Sequence, residues 1–359
     1  MARKVVLIGL SLVFGACAHM KTLPPGEALT PEQRDDAIRR ARVWSPTNIA
    51  SVNFKLGPDP KGAPPFGSWV SCVYKEKKLS GHSPKFVCET SPGKEVRVKY
   101  GERNAEVFGD VLATRLFWAL GFPANRVDPV RVRCRGCPKD PWKGPETEGP
   151  VAEFDPAVIE RRLPGRPLET KPDSGWSWSE LDEIAPNAPP AARAQRDALK
   201  LLAAFVQHTD NKADNQLLFC PKGQEMGPTG CRTPILMISD LGLTFGHGGW
   251  FNKNISSASF ANWAEVPVWK DPAQCEAELK GSLTSTLSSP KIHEAGRAFL
   301  AKLLVQLTDQ QLHDLFEVSR IDRRGRKPED KDSPPASVDE WVKIFKVKRA
   351  QIVDQRCPD

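Results

Sequence analysis

The segment His208-Thr209-Asp210-Asn211-Lys212-Ala213-Asp214-Asn215 sets a carboxylate, a lysine and a carboxamide close together, and Ser239-Asp240-Leu241-Gly242 supplies a further acid downstream. If Asp210, Asp240 and Asn215 met at one point, two carboxylates and a carboxamide would suit a metal-bridged polyphosphate, because magnesium takes hard oxygen ligands. The bland alternative is a polar helix-capping loop that happens to hold Asp and Asn. The second acid, at the end of the following hairpin pattern, favours the chemical reading.

Elements that could position these groups can be read around them. Residues 192–207 carry Ala198, Leu201, Leu202, Phe205 and Val206 at helical spacing, so a helix is expected to end where the motif begins. Residues 216–220 and 235–238 read as two strands around a Gly/Pro-rich turn, the second delivering Asp240. Further upstream, residues 69–74 and 86–90 alternate as strands. Between them lie Gly81, Ser83 and Lys85. Small residues there would let backbone N–H groups approach phosphates, and the lysine adds charge; an ordinary hairpin turn is the alternative. Residues 95–100 form a further alternating strand, with Val96 and Val98 on one face and Arg97 and Lys99 on the other. Lys99 is expected at a cleft rather than in the core; a solvated basic strand face is the alternative. A helix over 103–120 would then set Glu106, Asp110, Ala113, Phe117 and Leu120 on one face. Two acids on an otherwise apolar face suggest a partner for a basic group, with Glu106 the first candidate and Asp110 the second. For Glu106 a plain helix N-terminal acid is the alternative.

With these pieces assembled, the chain resembles the protein-kinase-like superfamily, and more closely its divergent phosphoinositide 3-/4-kinase-like, HipA-like and secretory-pathway branches. It is also similar to a group of exported bacterial proteins that share an S-P-K-F loop, a V-K-Y-G strand, an R-L-x-W-A-L-G-F helix and a D-N-K-x-x-N loop. Here those are residues 83–86, 98–101, 115–122 and 210–215, and the resemblance spans about 69–275. It implies an α+β, two-lobed protein-kinase-like fold, with an antiparallel-sheet lobe over 51–162 and a mainly helical lobe over 163–326. It also implies ATP and magnesium as cofactors. Asp210 would orient an acceptor hydroxyl with Lys212 beside it, Asn215 and Asp240 would hold metal, and Lys99, paired with Glu106 or Asp110, would grip the inner phosphates. Gly81, Ser83 and Lys85 would cover the phosphates. Leu163-Pro164-Gly165 would be the hinge, with backbone near Glu160 to Arg162 touching the base. Residues 246–254 would be the activation-segment equivalent, with His247 a loop histidine. The chain departs from ordinary protein kinases in lacking a G-x-G-x-x-G run and an A-P-E segment, and in placing Leu241 where Phe is usual.

The N-terminus speaks to compartment. Arg3 and Lys4 precede an apolar run over 5–14, the size of a signal-peptide core. Ala16-Cys17-Ala18 is an A-x-A cleavage site, which would release a soluble periplasmic or secreted protein. Phe14-Gly15-Ala16-Cys17 is a lipobox-like alternative that leaves Cys17 lipidated. Of nine cysteines, eight remain if Cys17 carries lipid, and an even number suits an oxidising compartment. A lipid-anchored protein of the bacterial envelope is therefore the expected reading, with 1–18 as signal and lipobox. Cys72 and Cys88 are expected to pair across a hairpin centred on Ser80, and Cys220 with Cys231 across the next hairpin. Cys134-Arg135-Gly136-Cys137 could be a small disulfide, a redox pair or half a zinc site; no second C-x-x-C or paired His completes a zinc site, so a disulfide is expected. Cys275 and Cys357 are left as a candidate pair.

Residues 19–50 read as a tether, with a charged helix near 31–43, and 327–359 as a linker and a docking helix. Net charge is +7 with a pI of about 8.9. The dispersed basic residues fit a phosphate-binding cleft or an anionic membrane surface and lack the aromatic interleaving of a nucleic-acid module, so no nucleic-acid partner is expected. The expected state is a monomer whose partners are a nucleotide, an unknown acceptor and, through the lipid, the membrane. Two function classes stand: an exported phosphotransferase with an alcohol acceptor, and an inactive pseudokinase-type binding module of the envelope.

Overall fold

Strand-forming alternation dominates the first half of the chain. Strands β1 (Trp69–Lys75), β2 (Lys85–Ser91), β3 (Lys94–Tyr100), β4 (Arg126–Arg135) and β5 (Val151–Arg161) close into a barrel in the order β1-β2-β3-β5-β4. Its interior holds Phe86, Val98, Val132, Phe154 and Ile159. The molecule is described from a computed structural model over residues 29–79, 81–143, 151–169, 175–184, 190–246 and 254–358. Ser80, the expected signal segment with Cys17, the first part of the expected tether, and His247 with most of the expected activation segment lie outside the described residues.

The barrel corrects the antiparallel sheet expected from sequence. Its neighbours pair antiparallel except β1 and β4, which run parallel and close it, Cys72 facing Cys134. The sequence pattern does not flag β4, because Asp128 and Pro129 interrupt it and a register shift falls between Val130 and Val132. Such a shift breaks the period-2 alternation by which a strand is recognised.

Helix α2 (Glu106–Ala119) crosses behind the barrel but does not share its core. Val107, Phe108, Leu112 and Leu116 belong to a second, larger apolar cluster with α3 (Pro190–Phe205), α5 (Glu294–Leu304), α6 (Asp309–Ser319) and α7 (Val338–Val353), while α4 (Phe260–Glu265) adds Trp263. Every residue of α2 but Trp118 is buried, the acids Glu106 and Asp110 included. At the centre of the cluster Trp341 stacks between Trp263 and Phe316, which docks α7.

From residue 29 onward the segment read as a tether is part of this core. Helix α1 (Pro31–Arg40) opens with a Thr30–Gln33 capping box and buries Ala37 and Ile38. Arg34 pairs with Glu169 at 2.5 Å and with Glu180, and the Arg42 backbone bonds Pro234 and Leu236. The charged surface of α1 hides these anchors in sequence.

The expected hinge runs directly into β6 (Gly165–Pro167). With β7 (Gln216–Pro221) and β10 (Ile235–Ile238), β6 forms a small sheet ordered β10-β7-β6, and β8 (Glu225–Met226) and β9 (Gly230–Cys231) make the hairpin between β7 and β10. Four disulfides close the fold: Cys72–Cys88, Cys134–Cys137, Cys220–Cys231 and Cys275–Cys357. They are consistent with an oxidising, exported location. The first is diagonal rather than directly cross-strand, because the register sets Tyr74 opposite Cys88 and so centres the β1–β2 connection on Gly81.

Candidate functional site

A cavity of about 1020 Å³ opens between the barrel and the larger region. The barrel side contributes Gly81, Ser83, Lys85, Arg97 and Glu160, and α2 contributes Glu106. Across from them stand Asp210, Lys212, Asn215 and Asp240, with Ser282, Leu283 and Thr284 on a further wall. The motif residues of the sequence analysis thus line one cleft, although they come from widely separated parts of the chain.

Local structure explains each placement. Helix α3 ends at Phe205, Gln207 takes a φ of 52°, and the chain turns into the motif loop. The loop is held from within: Asn211 donates from Nδ2 to His208 O at 2.9 Å and Leu287 O at 3.0 Å, and its Oδ1 accepts from Thr286 N and Leu287 N. His208 is fully buried and packs near Trp178; burial pushes its pKa down to about 4, so the ring is neutral. A one-turn 3-10 segment, Ala213–Asn215, then brings Asn215 beside Asp210, whose carbonyl accepts from Asn215 Nδ2 at 2.6 Å. That bond leaves Asn215 Oδ1 as the amide end available to a cation. The backbone carbonyl of Asn215 in turn accepts from Ser239 N at 2.8 Å and Asp240 N at 3.3 Å, which ties the two motifs together.

Asp240 reaches its place through a close backbone approach. A Cβ on Gly109 of α2 would collide with the carbonyl of Gly242, and a Cβ on Gly242 would collide with the Glu106 side chain. Two glycines therefore let the Asp240-Leu241-Gly242 turn lie directly on α2. There Lys99 Nζ sits 2.6 Å from Glu106 Oε2, 2.6 Å from Asp110 Oδ2 and 3.5 Å from Asp240 Oδ1. Sequence reasoning ranked Glu106 above Asp110; the lysine takes both. The expectation that Lys99 faces the cleft is corrected: its side chain is only 2% exposed, beneath the acids. An alternating strand pattern distinguishes two faces but cannot tell solvent from a polar interior.

The charges settle accordingly. Burial opposes the Lys99 ammonium, but four carboxylates, Asp110, Asp240, Glu106 and Glu160, hold its pKa well above the usual lysine range. Burial drives Asp110 up to about 8; Lys99 opposes this, while Asp240 and Glu106 add to it. For Asp240, burial is outweighed by Lys99, the Gly242 N–H, Lys85 and Arg97, which bring it down to about 2. Burial and the neighbouring Asp240 charge raise the Asp210 carboxyl. Although Glu106, Asp110 and Asp240 could by spacing surround a metal ion, the Lys99 ammonium fills that position.

The basic group that faces the cleft from β2 is Lys85, set opposite Lys99 in the β2–β3 register. Burial lowers its pKa, and its ammonium lies 5.9 Å from the Trp142 ring. Gly81, at φ 98°, passes so close to Lys85 Nζ that a Cβ would clash there. Ser83 is 2% exposed, and its hydroxyl has no partner.

Glu160 is placed differently from expectation. Its backbone lies between β3 and β4, paired with Arg97 on one side and Val127 on the other, so it is enclosed by the sheet rather than open to a base. Its carboxylate pairs with Arg97 at 3.1 Å and accepts from Asn125 Nδ2 at 2.8 Å. Arg162, the last residue of that expected stretch, and Leu163 lie just past the end of β5 and line the cleft. Sequence reasoning missed Asn125, which also donates to Ser239 O at 2.6 Å and so bolts the Asp240 turn to the barrel. It missed Asn254 as well, whose Oδ1 accepts from Ala105 N at 2.7 Å just before α2 begins. Neither asparagine carries a local pattern that marks it.

No protein-family model matches the chain, and no curated protein matches its sequence. Among solved structures it is similar to the proinflammatory kinase CtkA of Helicobacter pylori, at 9% identity and a TM-score of 0.42 over 79% of this chain and 94% of that one. It is also similar to a chain from the HipA–HipB toxin–antitoxin complex with operator DNA of Shewanella oneidensis MR-1, at 15% identity and a TM-score of 0.32 over 92% of this chain and 73% of that one.

Proposed function

We propose that the chain is an exported, kinase-like phosphotransferase that uses magnesium and ATP. One observation carries the reading: Lys99 ties Asp240 to α2 while Asp210 and Asn215 line the same cleft as Asp240. The donor set fits a magnesium–polyphosphate, since Asp240 offers an ionised carboxylate and Asn215 an amide oxygen. Magnesium held by this pair would neutralise charge on the phosphates.

In this reading the chain's own groups divide the remaining work. Lys99 holds Asp240 ionised and in place. Lys85, the Gly81 turn and Ser83 receive phosphate oxygens on the barrel side. Asp210, with its carboxyl raised, accepts the proton of an acceptor hydroxyl, and Lys212 stands two residues beyond it. Leu163, Leu217, Phe219 and Met237 supply apolar surface for a base.

The test is magnesium-dependent ATP binding by the exported chain. Asp240→Ala is expected to abolish it, since it removes the charged ligand. Asp210→Ala should leave binding near the parent's while transfer falls by ~10²–10⁴, the scale of a positioned acid–base group. A parent chain that binds no ATP at millimolar concentration with magnesium would refute the enzyme reading and leave the binding module. We further propose that Cys17 carries lipid: Cys17→Ala should move the protein from the membrane to the soluble fraction, and a native protein already soluble and beginning at His19 would support cleavage at the A-x-A site instead.

A further inference from the structure

A second cavity, of about 570 Å³, lies between α3, the 3-10 segment Trp178–Glu183 and the loop before α5. Its walls carry Arg193, Arg196, Lys200 and Lys291 against two carboxylates, Asp182 and Asp197. The acids are already engaged: Asp182 pairs with Lys200 at 2.7 Å, and Asp197 Oδ2 meets His293 Nδ1 at 2.8 Å. Arg193 Nη2 contacts the other ring nitrogen of His293 at 2.6 Å. Arg196, 8% exposed, donates from Nη1 to Leu181 O and Ile184 O and leaves a buried Nε without a partner. Among the described residues, no carboxylate pairs with Arg193, Arg196 or Lys291. Three basic side chains without a carboxylate partner among the described residues, around one concavity, suit a multivalent anion.

This cavity shares a wall with the cleft. Ser282, Leu283 and Thr284 line the cleft, whereas Thr286, Leu287 and Ser288 line the second cavity. Between them the loop grips Asn211, the neighbour of Asp210: Thr286 N and Leu287 N donate to its Oδ1 at 2.9 and 2.7 Å, and Thr286 Oγ1 donates to its carbonyl at 3.0 Å. Thr286 Oγ1 also accepts from Trp178 N at 3.1 Å on the other side.

We propose that the second cavity binds a small phosphate-bearing anion, and that its occupancy steadies the 282–288 loop and through Asn211 the position of Asp210. The binding claim stands apart from the function proposed above; only an effect on transfer rests on that reading.

Inorganic pyrophosphate is the probe, titrated calorimetrically without magnesium into the full exported chain, the double variant R193E/K291E and Asp240→Ala. Arg193 and Lys291 are exposed, so the double variant should fold, which far-UV circular dichroism and its melting temperature check. Pyrophosphate is expected to bind the parent and Asp240→Ala alike and to lose at least about tenfold in affinity for R193E/K291E. Should the double variant misfold, R193Q/K291Q replaces it with the same expectation. Binding should also slow hydrogen exchange at the Thr286 and Leu287 amides. Equal affinity for the charge variants and the parent, no binding to the parent, or binding lost only in Asp240→Ala would each overturn the proposal. Coupling is read separately, as a several-fold change in the transfer rate at saturating ATP with pyrophosphate present, and an unchanged rate would overturn the link to Asp210. If the parent binds pyrophosphate here but no ATP, the phosphotransferase reading fails and the anion site stands.

Discussion

The barrel closes around Phe86, Val98, Val132, Phe154 and Ile159 with four half-cystines among them, whereas the helical region packs Trp176, Trp178, Trp263, Trp341 and Phe316 in one broad cluster. A small interior removes little apolar surface from water, so covalent links matter more there. In the larger region burial of large aromatics carries the fold, and its two disulfides fasten particular parts, Cys220–Cys231 the hairpin between β7 and β10 and Cys275–Cys357 the C-terminal end. The cleft lies where the two regions meet. Lys99 reaches from the barrel to α2, and the buried Arg320 reaches back, donating to Val130 O at 3.0 Å and Ala157 O at 2.7 Å. A site shared between two differently built regions needs such ties, because neither region alone fixes the distance from Asp240 to Lys85.

The sharpest way to break that comparison is at Lys99. Lys99→Met should cost about 3–5 kcal/mol, because it strands acids that are buried and otherwise unpaired. Urea unfolding would measure this, and a loss below about 1 kcal/mol would mean that the regions do not depend on the ion cluster. Next in size is the staple inside the barrel. The double change Cys72→Ser with Cys88→Ser should cost roughly 2–4 kcal/mol and leave the helical region's near-ultraviolet tryptophan signal intact at moderate urea. If both regions were to melt together with the parent's midpoint, the proposed division of stabilisation would be wrong.

The smallest effect concerns pH. Asp110 is held up at about 8 against an ordinary value of 3.8, so the folded chain keeps a proton that the unfolded chain gives up. Its contribution to stability is therefore fully present below the ordinary value and is lost as pH rises through about 8. Asp240, brought down to about 2, works in the opposite sense: its contribution holds above 3.8 and is lost as pH falls through about 2. Between about pH 7 and about pH 9 the parent should lose stability as Asp110 gives up its proton, and Asp110→Asn should abolish that slope. An unchanged slope in Asp110→Asn would place the titration elsewhere.

Much of the site was legible because its signals are local. A carboxylate and a carboxamide on one loop, an acid at the end of a hairpin and two acids one helical turn apart are set by short-range periodicity, and the structure brings Asp210, Asn215, Asp240 and Glu106 to one cleft, with Asp110 buried against Lys99. The two hairpin pairs, Cys72–Cys88 and Cys220–Cys231, were legible for a similar reason, since hairpin ends lie near one another whatever the rest of the chain does; only the register of the first, centred on Gly81 rather than Ser80, differed. What was not legible depends on contacts between distant segments. Strand β4 hides behind Asp128, Pro129 and a register shift, and it belongs to the sheet because β1 and β5 flank it. The surface of α1 reads as a tether until Ile38 meets the core.

The sequence by itself therefore determined which groups are available, on which elements, and the disulfide chemistry that suits an oxidising compartment. Only the tertiary structure decided that Lys99 lies under the cleft and Lys85 faces it. Both are lysines on adjacent strands in register, so their local patterns are equivalent. The difference arises from α2, whose Gly109 lets the Asp240 turn approach and whose Glu106 and Asp110 close over Lys99. Burial of a charge is a property of everything packed around it, and no stretch of sequence contains that information.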